Sequence, residues 1–397
     1  SSLTTITGTI SACNSAYGSA GLTLGGDEAI TTTDTTANAE DLNTLNNYTS
    51  GVVNADSITT LTGTIADINT SFAADAASSA TISGLGDQLV EITDTTVLAA
   101  DLNTLNGYTS KTVDASTVAV IEGTAAAVNT VYDAKASSPD DGISGLGNEA
   151  VTLTDTTVAA SALTDLDSSD GTSGTIDASS VHTITGLIAD ANTVYASSDF
   201  TGLGAENVTL TDTNNSSNGV SVSTLNTLNG YTTGNIDATT ITVLAGSAAN
   251  LNTAYAAGSA TDDGISNLGN EAVVVSDTTL AAATLNTLDA YTEGTVNAAT
   301  VATLTGTIAA CNTAYASAGI SGLGAEAVTL TDTALTDPST LVTLNTKTTK
   351  TIDADTLTTV SGSLSTVKSV YDAKVAATGN SANDGISGLG DQVITIT

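Results

Sequence analysis

One phrase of about 60 residues is written six times along this chain, and that repetition limits the possible folds more than any single residue does. Each copy is anchored by a glycine followed by a short apolar run. The anchors are Gly26, Gly86, Gly147, Gly204, Gly269, Gly324 and Gly390, spaced by 60, 61, 57, 65, 55 and 66 residues. A unit of this size cannot bury its own apolar face, so neighbouring copies must stack to share one core. The expectation is a single array over residues 1–397. It has a half-repeat at 1–25, repeats at about 26–85, 86–146, 147–203, 204–268, 269–323 and 324–389, and a partial repeat at 390–397. The expected architecture is an elongated α/β solenoid, each repeat carrying short strands and two short helices; an all-β solenoid is the alternative.

The fifth copy shows the internal grammar. Ala272–Val275 is a β-branched run and reads as a strand. After Asp277 the period changes: Leu285, Leu288 and Tyr291 lie three apart, on one face of a helix. The same triple recurs as Leu42/Leu45/Tyr48, Leu102/Leu105/Tyr108 and Leu225/Leu228/Tyr231, and a Gly or Lys soon after the Tyr-Thr pair is expected to close that helix. The second half opens with a strand of the type Thr112–Ser116. A further apolar alternation such as Val301–Leu304 ends at a glycine, and a short helix with an Asn and an aromatic (Asn312/Tyr315) follows.

Aspartates recur at fixed places. Asp34, Asp94, Asp155, Asp212, Asp277 and Asp332 follow the first strand, where a helix N-cap is expected. Asp114, Asp177, Asp237 and Asp353, with Asn54 and Asn297, stand at the second strand, where a short polar side chain turns a corner by bonding nearby backbone. Less regular insertions carry Asp140-Asp141-Gly142, Asp262-Asp263-Gly264 and Asn383-Asp384-Gly385. They read as solvated turns, and Asp140, Asp141, Asp262, Asp263 and Asp384 are also the candidate calcium ligands, calcium being the one cofactor the sequence suggests.

The charge balance is one-sided: 42 acids against six lysines and no arginine, a net charge of -36. Such a surface repels phosphate, so nucleic acid and anionic membranes are poor partners, and salt or divalent cations would relieve its self-repulsion. No apolar run is long enough to cross a membrane. Cys13 and Cys311 occupy the slot that Ile68, Val128 and Leu251 fill elsewhere, and read as small buried hydrophobes. The lone His182 stands where other copies have Thr or Ala and cannot build a triad or metal cluster by itself. No catalytic residue is assigned, and the chain reads as a non-enzyme.

The phrases TDTTVLAADLNTLNGYTSKTVDASTV (93–118) and GTIAACNTAYASAGISGLGAEAVTLTDT (306–333) resemble very large repetitive exported proteins of marine bacteria, cyanobacteria in particular. The resemblance is at the level of the repeat, covers nearly the whole length and transfers no catalytic motif. It implies an extracellular or cell-surface location and a structural or adhesive role. The expected function is a rod that self-assembles head to tail into a filament or surface layer. Leu3 and Ile6 at one unfinished edge and Val393 and Ile396 at the other are the pairing strands. The alternatives are an adhesin segment binding glycans through the irregular loops, and an ice-binding face built from Thr ranks such as Val328-Thr329-Leu330-Thr331.

Overall fold

The computed structural model describes residues 3–135, 141–168, 171–213, 219–258, 264–374 and 385–397. The described residues form a mixed α/β structure of short parallel strands and 13 helices. They fall into two compact units, one of Ser1–Thr185 with Thr193–Leu203, the other of Gly186–Asn192 with Gly204–Thr397.

Each repeat holds five short strands and two helices. In the fifth copy these are Ala272–Val275 and Thr279–Ala281, the helix Ala282–Tyr291, then Val296–Asn297 and Thr303–Gly306, the helix Ile308–Ala316, and Ile320–Ser321. The strand expected at Ala272–Val275 is present with those bounds, whereas the one expected over 112–116 is only Val113–Asp114. The second helix of the repeat starts on a side chain: Thr9, Thr64, Thr124 and Thr307 each take the N-cap, and their hydroxyls accept from the third helical N–H.

Strands pair in parallel with strands one half-repeat away. In the first unit one sheet runs through 36–38, 60–63, 89–92, 113–114 and 143–144. Its inward row is Ala37, Leu61, Val90, Val113 and Ile143, each buried. The second unit repeats this order through 279–281, 303–306, 327–330, 352–353 and 386–387, with Leu280, Leu304, Val328, Ile352 and Ile386 inside. Each such sheet opens with the strand just before a helix and closes with a strand that lies beyond one. The ladder therefore moves sideways along the repeat as it passes from copy to copy.

The helices supply the other wall of the core. Leu42, Leu45, Leu285 and Leu288 are fully buried. The tyrosines expected beside them are not core: Tyr48 and Tyr291 are 43% and 40% exposed. Each stacks instead on the aromatic of a helix in the adjacent half-repeat, Tyr17 with Tyr48 and Tyr255 with Tyr291, centroids 5.4 and 5.3 Å apart. Helix closure also differs from the sequence reading. The helices ending at Tyr48, Tyr108 and Tyr291 are capped by Thr49, Thr109 and Thr292 in extended conformation, ahead of the Gly or Lys. Cys13 and Cys311 are buried free thiols, and burial, with the Asp332 carboxylate second, pushes the Cys311 thiol up to about 12.

Candidate functional site

Columns of recurrent polar side chains bond from one half-repeat to the next. The aspartates after the first strand do cap helices, but not the helix next in the chain. Asp34 Oδ2 accepts from Ile10 N at 2.8 Å, Asp94 from Ile65 N, Asp155 from Ala125 N, Asp212 from Ile188 N, Asp277 from Ala248 N and Asp332 from Ile308 N. Each carboxylate thus sits at the N-terminus of the helix one half-repeat earlier, where the orphan N–H and the helix dipole both favour negative charge. The next helix is capped by Asn38 in the first full copy and has no side-chain cap at Leu98, Ala159 or Ala281 in later ones.

The second set of corners behaves as an Asx turn. Asp114, Asp177, Asp237 and Asp353 each accept from the N–H two residues on, at 2.9–3.0 Å, and Asn54 and Asn297 do the same without a charge. A third column is made of asparagines on the helices. Asn14, Asn43, Asn69, Asn103, Asn129, Asn226, Asn286 and Asn312 each donate Nδ2 to a backbone carbonyl of the next helix, at 2.8–3.2 Å.

A fourth column has no counterpart in the sequence reading. Glu28, Gln88, Glu149, Glu206, Glu271 and Glu326 are 1–3% exposed, and Gln392 holds the same place in the last copy. Each side chain folds back to accept from the glycine N–H two residues earlier, as in Gly147 N to Glu149 Oε2 at 2.8 Å. A tyrosine hydroxyl of the preceding helix donates to it: Tyr17 to Glu28, Tyr132 to Glu149, Tyr255 to Glu271 and Tyr315 to Glu326. Where glutamine stands at 88, the aromatic in the donor's slot is Phe72, which has no hydroxyl. The buried threonine of the Tyr-Thr pair completes the joint, as Thr292 Oγ1 donates to Glu271 O at 2.6 Å and accepts from Gly294 N. The signal for this column is in the chain: every anchor glycine is followed two positions later by Glu or Gln.

Burial pushes the Tyr255 and Tyr315 phenols well up, with the bonded glutamate adding to it, so these hydroxyls are donors and not bases. At Glu28 burial opposes the charge. The N–H of Gly25, the residue's own backbone, Tyr17 and the N–H of Gly26 outweigh it, and the carboxyl lies below its ordinary range.

Of the candidate calcium ligands, Asp141 is exposed, and Asp140, Asp262, Asp263 and Asp384 lie outside the described residues. Among the described residues no three His, Cys, Asp or Glu side chains group together as a metal site, and no helix is long and apolar enough to cross a membrane. His182 is exposed, its Nδ1 at 2.7 Å from Ser180 O. The outward row beside Ala37 reads Asn38, Thr62, Glu91, Asp114 and Ser144, a mixed and charged row that lends no support to a flat Thr lattice. Of the edge residues, Leu3 is 54% exposed, Ile6 half-buried, and Val393 and Ile396 are 65% and 51% exposed. Strand 5–8 pairs with 29–32 on one side, and strand 393–396 with 359–362 on one side; each is outermost in its sheet.

No family model, no curated protein and no solved structure matches the chain.

Proposed function

We propose that this is a structural, non-catalytic repeat protein of the cell exterior, an elongated solenoid whose stacked half-repeats are themselves the working part. The observation that carries the reading is where the polar side chains go. The aspartates after the first strand, the helix asparagines, the threonine of the Tyr-Thr pair and the tyrosine that donates to the buried Glu recur at fixed positions and bond the neighbouring half-repeat, which is the chemistry of holding a stack in register. The acidic, arginine-free composition and the repeat-level resemblance support an extracellular or surface location.

Copies are proposed to associate through the open strands at 5–8 and 393–396, whose unpaired backbone and exposed Leu3, Val393, Ile394 and Ile396 suit strand addition. The joint differs from an interior one. Strand 89–92, the counterpart of 393–396, is followed in its ladder by 113–114, whereas 5–8 is the counterpart of 60–63. Association is therefore expected to be reversible and concentration-dependent. Small-angle scattering and sedimentation test both parts: narrow rods that lengthen with concentration are expected, and a compact monomer at every concentration in high salt would sink the reading. A second reading, glycan adhesion, is favoured by the exposed stacked rings of Tyr48 and Tyr291. Glycan-array binding that disappears in Tyr48→Ala/Tyr291→Ala would select it.

A further inference from the structure

The two glutamine copies show what the surroundings of the buried Glu/Gln column demand. Gln88 Oε1 accepts from Gly86 N and Asp87 N at 2.7 and 3.1 Å, while Nε2 donates to Ile58 O and Gly84 O at 3.1 and 3.0 Å. Gln392 repeats the pattern: Oε1 accepts from Gly390 N, and Nε2 donates to Leu357 O and Gly388 O at 3.0 and 2.8 Å. The place thus has a donor side and an acceptor side, and a carboxylate answers only the first.

In the Glu271 copy the carboxylate takes the donor side, accepting from Gly269 N, Asn270 N and Tyr255 OH. On the acceptor side stand Ile241 and Asn267, the counterparts of Ile58 and Gly84, whose carbonyls accept no hydrogen bond from any described residue. With Thr239, Thr242, Asn270 and Glu271 they line a cleft of about 270 Å³. Glu271 is 2% exposed, and no cationic side chain pairs with it, the one ion pair among the described residues being Lys368–Asp372. A buried carboxylate with no counter-charge, beside two undonated carbonyls, is costly as it stands.

We propose that this cleft binds a calcium ion. The residues lining it offer oxygens of the kind a hard cation takes, namely the Glu271 carboxylate, main-chain carbonyls, the Asn270 carboxamide and threonine hydroxyls, and water would complete a shell of about 6–8 oxygens. Calcium suits an irregular set of this kind better than magnesium, which holds to a tight octahedron and gives up its waters reluctantly. The charge gained offsets both the local carboxylate and the wider excess of acid. The Glu149 copy keeps Asn148 and the glutamate, has Val118 and Gly145 at the carbonyl places and Ser116 and Ala119 where Thr239 and Thr242 stand, and is assigned a second, weaker site. The Gln88 and Gln392 copies carry the amide nitrogen where the ion would lie and are assigned none. No residue of the Asp-Asp-Gly loops is among the residues assigned to these sites.

Terbium, a luminescent substitute for calcium excited through tyrosine, is a suitable probe because Tyr255 OH touches Glu271. The full chain is expected to give tyrosine-sensitised terbium emission that calcium displaces and magnesium does not. Calorimetric calcium stoichiometry should fall by one site in Glu271→Gln and by two in Glu149→Gln/Glu271→Gln, with circular dichroism unchanged because glutamine already fills this place twice. Tyr255→Phe should lower the emission and keep the stoichiometry. Asn270→Ala, which copies Ala325 beside Glu326, should weaken the site without touching the buried column. Unchanged stoichiometry in Glu271→Gln together with unchanged affinity in Asn270→Ala overturns the proposal, as does a calcium effect that sodium chloride of equal ionic strength reproduces.

Discussion

Asp237 and Asn297 do one job with and without a charge, and that pair separates geometry from electrostatics at the residue scale. Bonds from the Thr239 side chain first, opposed by burial and joined by Asn267 and the Thr239 N–H, hold the Asp237 carboxyl below its ordinary range. Its folded form therefore binds fewer protons than the unfolded one. The stability it contributes is present above the unfolded value, near about pH 4, and is lost as pH falls through the folded value. Asp237→Asn is expected to change stability at neutral pH by less than about 0.5 kcal/mol and to flatten the acid limb of a denaturation-versus-pH series. The buried tyrosines work with the opposite sign. Burial raises Tyr132, Tyr255 and Tyr315 above the usual phenol value, so their contribution is present below about pH 10 and is lost as pH rises through the folded value. Absorbance at 295 nm should show these three ionising only as the chain unfolds in alkali. The Tyr255–Glu271 bond itself can be weighed against the natural Phe72/Gln88 pair. Tyr255→Phe should cost about 1–3 kcal/mol by leaving a carboxylate lone pair unmet, and Glu271→Gln added to it should recover part of that loss. Strict additivity in this double-mutant cycle would mean the two side chains are not coupled. At this scale the leucines were legible from their spacing, because burial of a Leu at period three has one reading. The tyrosines were not: a ring at the end of a short helix can point to the core or stack on its neighbour, and spacing alone does not decide between them.

Elements show the same division. The strand Ala272–Val275 and both helices of the repeat arise from β-branched runs, three-residue periods and threonine caps, all local signals. The partners of those elements are set by stacking, which no local pattern encodes. Asp277 shows this. It stands just past the end of that strand, well placed to cap the next helix, yet its carboxylate reaches Ala248 N at 2.7 Å, a residue 29 positions earlier. The next helix has Ala281 at its N-cap and no side-chain cap bond, so local need does not place this carboxylate; stacking brings it to the first N–H of the helix across the joint, whose third N–H Ser247 already takes. Asp277→Ala is expected to cost about 0.5–2 kcal/mol, and amide exchange should speed up in the helix Ala248–Gly258 and not in Ala282–Tyr291. Faster exchange confined to 282–291 would return the cap to its own helix. Glycine choices also become readable once partners are known. Gly145 and Gly322 hold φ near 83° and 84°, and a Cβ there would lie 2.6 Å from a backbone N of the neighbouring half-repeat. Asn267, φ 64°, fills the same place in the copy that holds the Glu271 cleft, asparagine being a side chain that tolerates this conformation.

For the whole chain, the period of the structure is the full repeat and not the half. Strand 303–306 lies between 279–281 and 327–330, whereas strand 327–330 lies between 303–306 and 352–353, so successive half-repeats offer different strands to their neighbours. The helices alternate as well, one bearing Leu285/Leu288 and the next Cys311/Ala314 toward the core. Removing one whole repeat should therefore leave every joint intact. Deleting residues 272–326 brings Ala327 directly behind Glu271, sets strand 327–330 where 272–275 stood against 243–246, and gives Glu271 O the Thr348 hydroxyl in place of Thr292. The shortened chain is expected to fold cooperatively, with an unfolding enthalpy lower roughly in proportion to the residues lost. Deleting only 272–297 removes one helix and three strands and sets two second-type half-repeats side by side. The Tyr255–Glu271 joint then has no matching first-type helix to receive it, and the ladder order is broken. That chain should aggregate or unfold below the temperature of the parent. If the two deletions melt alike by calorimetry, the half-repeats are interchangeable and the alternating register does not govern how this chain stacks.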